Sequence, residues 1–185
     1  KKSHRRAWWI RFGVGMSTIY LLYCGLNKIK IDQAARNAFR KQHISYTHYF
    51  TTPTPLNNWL WYVVAANDAG YNIGYRSLFD RNKNIDFHFV PRNDHLLEPV
   101  KDHEDLQKLI RFSQGYYSVQ KWNDTLVFND LRFGQIVGWQ DPNANFVFHY
   151  FLEHPTKNKL VVQRGRFSGW NKRSFNALLR RIKGN

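Results

Sequence analysis

The feature that most constrains this chain is an uncharged run near its N-terminus, residues 12–26. As a helix, residues 7–26 are long enough to cross the ~30 Å hydrocarbon core of a bilayer. Apolar residues lie on all sides of this helix rather than in one stripe, which is typical of a lipid-facing segment. Basic residues flank the run: Lys1, Lys2, Arg5, Arg6 and Arg11 precede it, and Lys28 and Lys30 follow it. The sequence therefore predicts a basic flank and transmembrane helix in residues 1–30 and an extramembrane domain in residues 31–185.

The predicted membrane span has an aromatic belt and a charge asymmetry. Its marker residues are Trp8, Trp9, Phe12, Leu21, Leu22 and Tyr23. Because the basic residues are more numerous before the run, the positive-inside rule places the N-terminus in the cytoplasm and residues 31–185 on the extracytoplasmic side. Two alternatives stay open, a helix buried in a protein core and a cleaved signal peptide. The second fits poorly, since Tyr23 before Cys24 is bulky for a cleavage site.

Composition bounds the remainder of the chain. Aromatic residues make up 17% of the 185 residues, which excludes a disordered basic tail. A single cysteine excludes a disulfide framework and a thiolate zinc cage. The formal net charge of +15 would suit phosphates, so nucleic acid is a candidate partner.

The positive charge is concentrated at the C-terminal end, since no acidic residue follows Glu153. We expect this tail to bind an anionic surface, and a domain across the membrane would meet lipid headgroups rather than nucleic acid. The residues predicted to do so are Arg164, Arg166, Lys172, Arg173, Arg180, Arg181 and Lys183.

Periodicity predicts an α+β domain after the span. The first helix is predicted to continue to about His43, with one face formed by Ile31, Ala34, Ala35, Ala38, Phe39 and Gln42. A second helix is predicted over residues 98–114, and a third begins near Ser174, which is placed to cap it. Short turns between strands indicate a mainly antiparallel β-sheet with helices packed on one face. The predicted strands are residues 56–67, 71–78, 85–89, 116–122, 125–133, 135–139, 146–154 and 159–166.

Few residues suggest chemistry. The nearest approach to a metal-ligand set is His88, His95, His103 and Glu104, whose spacing matches no ligand template. Asp130 and Arg132 share a strand face, where they are predicted to form a structural ion pair. Asp130 would need a second partner to act as a catalytic acid. No phosphate loop, nucleophile elbow or dinucleotide fingerprint occurs, so no catalytic residue is assigned.

Several short motifs carry a family resemblance: Pro53-Thr54-Pro55, Phe112-Ser113-Gln114-Gly115-Tyr116-Tyr117 and Asp130-Leu131-Arg132-Phe133-Gly134. Together with the basic-flanked span, they resemble the C-terminal part of bacterial membrane-bound metal-dependent hydrolases. In that family an N-terminal multi-span domain carries a histidine motif thought to hold the metal. This chain has no copy of the motif, so no catalytic or metal residue is carried over to it.

The resemblance implies a membrane-anchored, non-catalytic C-terminal domain of an inner-membrane hydrolase. Its partners would be the bilayer, anionic headgroups and the remaining membrane domain of the parent protein. No cofactor is expected in this chain, and a divalent metal would belong to the N-terminal part of the parent. Two alternatives remain. One is a basic binding module for nucleic acid or another polyanion, and the other is a hydrolase with a metal site between His88 and Glu104.

Overall fold

The computed structural model describes residues 2–102, 104–123, 125–152 and 171–184. The elements follow one another from a long helix through two groups of strands to a short helix. In chain order they are α1 (Lys2–Lys41), β1 (His48–Pro53), β2 (Leu60–Ala66), β3 (Gly70–Ser77), β4 (His88–Pro91), a 3₁₀ helix (Asp94–Val100), α2 (Glu104–Phe112), β5 (Tyr117–Trp122), β6 (Thr125–Gln135), β7 (Phe146–Phe151) and α3 (Lys172–Ile182).

The α+β class is confirmed, but the strands form two antiparallel sheets rather than one. The first sheet has the order β1-β2-β3-β4 and the second β5-β6-β7. The 3₁₀ helix and α2 lie between β4 and β5 in the chain and pack Leu97 and Leu106 onto Tyr117 and Phe128 of the second sheet. A period-two pattern shows which residues face a core, but not which strand is the neighbour, so the sequence could not separate the sheets.

The first sheet is covered on both faces, which explains why every residue of β2 is buried. On one face, Ala35 and Phe39 of α1 pack against Val63 and Ala65, with Ile85 completing the cluster. The opposite face packs against the second sheet and α3, through Leu60, Tyr62, Leu131, Phe146 and Leu178 among others. The prediction that helices pack on one face is therefore wrong, because α1 and α3 lie on opposite faces of the first sheet.

Tyr71 joins the two sheets. Its hydroxyl donates to the Gly115 carbonyl at 2.6 Å and accepts from the Tyr117 amide at 3.1 Å and from the Arg92 guanidinium at 3.0 Å. The ring is fully buried, and its pKa is raised by that burial although Arg92 opposes the shift. One phenol on β3 thus fixes the start of β5 against the first sheet.

Two predicted strands differ from the observed ones because of local turn chemistry. β2 begins at Leu60 rather than at Leu56, since Leu56 has φ 63° and the Asn57 side chain accepts from the amides of Trp59 and Leu60 at 2.9 and 2.8 Å. Residues 136–140 form bends and turns rather than a strand. The Gln135 amide group donates to the carbonyls of Pro142 and Ala144 and holds that loop.

Gly138 in this loop lies against two polar side chains, because a Cβ added there would collide with Tyr75 Oη and Gln135 Oε1. We expect Gly138→Ala to lower the free energy of unfolding by about 1–3 kcal/mol through overpacking, measured by urea denaturation. Gly25→Ala is the matched control, since an added Cβ at Gly25 meets nothing within 4 Å. Equal stability of the two variants would contradict this packing.

Other departures concern the ends and edges of elements. The N-cap of α3 is Asn171, whose side chain accepts from the Ser174 amide at 2.9 Å, so Ser174 lies inside the helix rather than capping it. The edge strand β1 was not predicted. The predicted strand over residues 159–166 lies outside the described residues.

The continuation of the first helix is confirmed as far as Lys41, with Ile31, Ala35, Ala38 and Phe39 buried on one face. Ala34 is half-buried, and Gln42, which follows the last helical residue, is exposed. The helix has 40 residues and crosses the predicted boundary at residue 30 without a break. Within the part of the chain that the structure describes, no helix combines the length and apolar character needed to cross a membrane. The predicted transmembrane helix is thus not supported by the structure.

Candidate functional site

The N-terminal arm, residues 5–26 of α1, leaves its side chains almost entirely uncovered. Large apolar residues are exposed all around it, with Trp9 62% and Leu21 67% accessible. The first buried side chain along α1 is Asn27. At 1.5 Å per residue the arm is about 33 Å long. All six residues predicted to mark the membrane span are exposed on this arm: Trp8, Trp9, Phe12, Leu21, Leu22 and Tyr23.

In the middle of the arm, a side-chain hydroxyl is bonded within the helix itself. The Thr18 hydroxyl donates to the Val14 carbonyl one turn earlier, at 2.9 Å. Trp8 and Trp9 are neighbours with ring centroids 4.8 Å apart, and Trp8 stacks on Phe12 at 5.5 Å. A hydroxyl bonded within its own helix does not require water, which is the arrangement that an apolar environment favours.

A polar junction fixes the arm to the domain where α1 meets β1 and β2. The Lys28 ammonium contacts Asp32 at 3.0 Å and the Thr51 carbonyl at 3.0 Å, while the Thr51 hydroxyl donates to Asp32 at 2.6 Å. The Asn27 amide group donates to the Asn58 carbonyl at 3.3 Å. The direction in which the arm leaves the domain is therefore set by side-chain contacts on the first two strands.

Asp130 and Arg132 are in direct contact. Arg132 Nη2 donates to Asp130 Oδ2 at 2.6 Å and Nε donates to Oδ1 at 3.0 Å, so both carboxylate oxygens are engaged. The guanidinium also lies over the Phe112 and Phe133 rings, at 4.8 and 5.5 Å. Asp130 is fully buried, and this bidentate pair is a structural one in which the carboxylate is held by Arg132.

The residues considered as metal ligands are not brought together. His88 is half-buried on β4, while His95 and Glu104 are exposed, and Glu104 pairs with Lys108 at 2.8 Å. His103 lies outside the described residues. Among the side chains that the structure describes, no cluster of three or more His, Cys, Asp or Glu is placed to hold a metal ion.

His88 lines a cleft of about 330 Å³ beside β3 and β4, together with Asp80, Asp86 and Arg181. Burial lowers the pKa of His88, so its ring is held neutral. Asp80 does not serve as a free ligand in this cleft, because Arg181 Nη1 contacts its Oδ1 at 2.6 Å.

The basic C-terminal residues divide into two groups. Arg181 was predicted to bind an anionic surface, but this prediction is wrong, because its guanidinium donates to Asp80 and to the Tyr75 carbonyl at 2.8 Å inside the domain. Arg164 and Arg166 lie outside the described residues. The exposed basic residues of this set are Lys172, Arg173, Arg180 and Lys183, all on or next to α3.

The Asp80 cluster, in which one buried carboxylate joins Arg76 and Arg181, was not predicted from the sequence. Asp80 and Arg181 are 101 residues apart, so no local pattern could have paired them. The Lys28–Asp32 contact was detectable, because residues four apart on a helix face each other.

No protein-family profile, curated protein or solved structure matches this chain.

Proposed function

We propose that this protein is a membrane-anchored, non-catalytic domain held to a bilayer by its N-terminal arm. The observation that carries the proposal is the arm itself, which is exposed along residues 5–26 and fixed to the domain at one end. Its uncharged residues 12–26 place large apolar side chains on all sides of the helix. Uncovered apolar surface of this extent calls for a partner that surrounds it. An interfacial helix would show one apolar and one polar face, so the arm is better suited to being embedded.

The finer form of the proposal is that residues 7–26 cross the bilayer beside other apolar helices. Arg11 lies one turn from the N-terminal end, where its long side chain can reach the headgroups. After the span, Lys28 is engaged by Asp32 and Thr51 and Lys30 is exposed, whereas the N-terminal flank is strongly basic. This asymmetry favours a cytoplasmic N-terminus and residues 31–185 on the extracytoplasmic side of a bacterial inner membrane.

The domain is proposed as the C-terminal part of a membrane-bound metal-dependent hydrolase. Its role would be to support substrate access or partner docking, and any divalent metal would bind elsewhere in the parent protein. The proposal assigns no catalytic step to these residues, because the Asp130 carboxylate is held by Arg132 and the Asp80 carboxylate by Arg76 and Arg181.

Membrane fractionation tests the anchor. We expect the full chain to sediment with membranes and to remain there after a carbonate wash, because the arm is held by apolar contacts rather than by charge. A chain lacking residues 12–26 should move to the supernatant. The matched control is the full-length chain in which Lys172, Arg173, Arg180 and Lys183 are changed to Gln. It keeps the arm and should stay in the membrane pellet. A deleted chain that remains equally membrane-bound would contradict the proposal.

A second candidate function is the binding of a polyanion by α3. It is favoured by the exposed basic face of that helix, where Lys172, Arg173, Arg180 and Lys183 surround a shallow groove. If α3 binds nucleic acid, the affinity of the full chain for oligonucleotides should fall steeply with salt, since bound phosphates release counterions. Affinity that is unchanged by salt, or by changing these four residues to Gln, would exclude this function.

A further inference from the structure

The arm leaves the domain at one particular end of the first sheet. Asn27 contacts Asn58 just before β2, whereas Phe39, three turns later, packs with Ala65 near the other end of β2. α1 thus runs along the sheet from the start of β2 to its end. The arm consequently projects beyond the end where β2 begins and β3 finishes, and that end faces whatever surface the arm enters.

This end of the sheet carries three exposed apolar side chains, Leu56 at 83%, Trp59 at 41% and Phe79 at 54%. The Trp59 indole nitrogen donates to the Tyr23 hydroxyl at 2.9 Å, so Trp59 lies beside the arm. The Leu78 amide donates to the Trp59 carbonyl at 2.9 Å, which places the loop of Phe79 next to it. The three residues, called the collar below, therefore lie at the end of the sheet from which the arm projects.

The C-terminal end of α3 reaches the same place. The Ser77 hydroxyl donates to the Ile182 carbonyl, and Gly184 lies against the Phe79 carbonyl. Lys183 is exposed beside this contact, and Arg180 is exposed one turn earlier. The Asp80 carboxylate, on the residue after Phe79, is buried in its ion pairs with Arg76 and Arg181. The collar is thus bordered by two exposed cations.

We propose that the collar rests in the headgroup layer of the bilayer that holds the arm, with Lys183 and Arg180 against anionic headgroups. The inference rests on the proposed function and adds a second, shallow contact to it. Trp and Tyr favour the boundary between hydrocarbon and water, which suits the bonded Trp59–Tyr23 pair. Leu56 would insert its side chain, and the two cations would be attracted to the anionic headgroups beside them. The contact would fix how the domain stands on the membrane.

Site-specific fluorescence quenching in the full chain tests the collar. Cys24 is changed to Ser, and a single cysteine carrying a polarity-sensitive dye is introduced as Leu56→Cys, Asp68→Cys or Met16→Cys. Asp68 is exposed in the turn at the far end of β2 and serves as the control within the domain. The proteins are reconstituted into vesicles of phosphatidylcholine and phosphatidylglycerol containing a lipid spin-labelled either at the headgroup or deep in the acyl chain.

The proposal predicts strong quenching at position 56 by the headgroup label and none at position 68. Quenching at position 56 should weaken in vesicles of phosphatidylcholine alone and in the Arg180→Gln/Lys183→Gln variant. If the acyl-chain label quenches the dye at position 16 but neither label quenches positions 56 and 68, the collar proposal is wrong and the membrane anchor still stands. Absence of quenching at all three positions would overturn both proposals, and unchanged quenching without anionic lipid would overturn the role of the two cations.

Discussion

Asp80→Asn is expected to lower the free energy of unfolding by about 3–5 kcal/mol, because it leaves buried cations without a counter-charge. The Asp80 side chain is only 4% exposed and accepts from Arg181 at 2.6 and 3.1 Å. Arg76 lies 3.5 Å away, and the Ser77 amide donates to the same carboxylate at 2.9 Å. Burial lowers the pKa of Arg76 although Asp80 opposes the shift, so the charged form of Arg76 depends on Asp80 to offset its loss of hydration.

Urea denaturation of the full chain in detergent, followed by circular dichroism, measures the effect of Asp80→Asn. The matched control is Arg180→Gln, which changes the exposed neighbour of Arg181 and should stay within about 0.5 kcal/mol of the unchanged protein. If Asp80→Asn is as stable as this control, the cluster does not hold α3 to β3. The comparison also distinguishes Arg181, which forms the ion pair with Asp80, from Arg180, which is exposed.

The second large effect is a loss of stability in alkali. Burial raises the pKa of Tyr62, Tyr71 and Tyr75, all of which lie in the core between the two sheets. In the unfolded chain these phenols lose their protons near pH 10, whereas the folded chain retains them. The unfolded state then binds fewer protons, so the free energy of unfolding falls as pH rises above about 10.

The three tyrosines together should give a slope approaching about 4 kcal/mol per pH unit above pH 10, with no contribution from them between about pH 7 and 9. Urea denaturation across this range measures the slope, and the ultraviolet absorbance of tyrosinate reports the protons. Tyr62→Phe is the informative variant, because the buried Tyr62 hydroxyl has no hydrogen-bond partner among the residues that the structure describes. It should be close to neutral at pH 7 and lower the slope by about 1.4 kcal/mol per pH unit, which is the contribution of one phenol proton.

An alkaline slope that is identical in Tyr62→Phe and the unchanged protein would contradict the assignment of Tyr62. The Tyr46→Phe variant, which changes an exposed phenol between α1 and β1, is the matched control.

The sequence predicted best where the signal is local. Ile31, Ala35, Ala38 and Phe39 recur at helical spacing, and their burial follows from the 3.6-residue period alone. The contact between Asp130 and Arg132 is also local, because residues two apart on a strand share a face. The apolar character of the arm could likewise be determined from its residues.

The parts that sequence could not provide depend on distant partners. In the sequence, Arg181 cannot be distinguished from the other basic residues of α3. Only its contact with the buried Asp80 carboxylate shows that Arg181 forms an internal ion pair whereas the others are exposed. The division into two sheets depends on which strands pair, and β1 is mixed in polarity because it is an edge strand next to α1. The collar depends on Trp59 meeting Tyr23, 36 residues earlier in the chain.

The central claim, that lipid surrounds the arm, is tested most directly by thiol accessibility in lipid nanodiscs, where both faces of the bilayer are open to the reagent. In a Cys24→Ser background, Met16→Cys places the thiol in the middle of the arm and Ser45→Cys places it on the exposed surface of the domain. The account predicts that a membrane-impermeant maleimide labels position 45 at once and position 16 only after detergent is added. Labelling of both positions at the same rate in intact nanodiscs would contradict it.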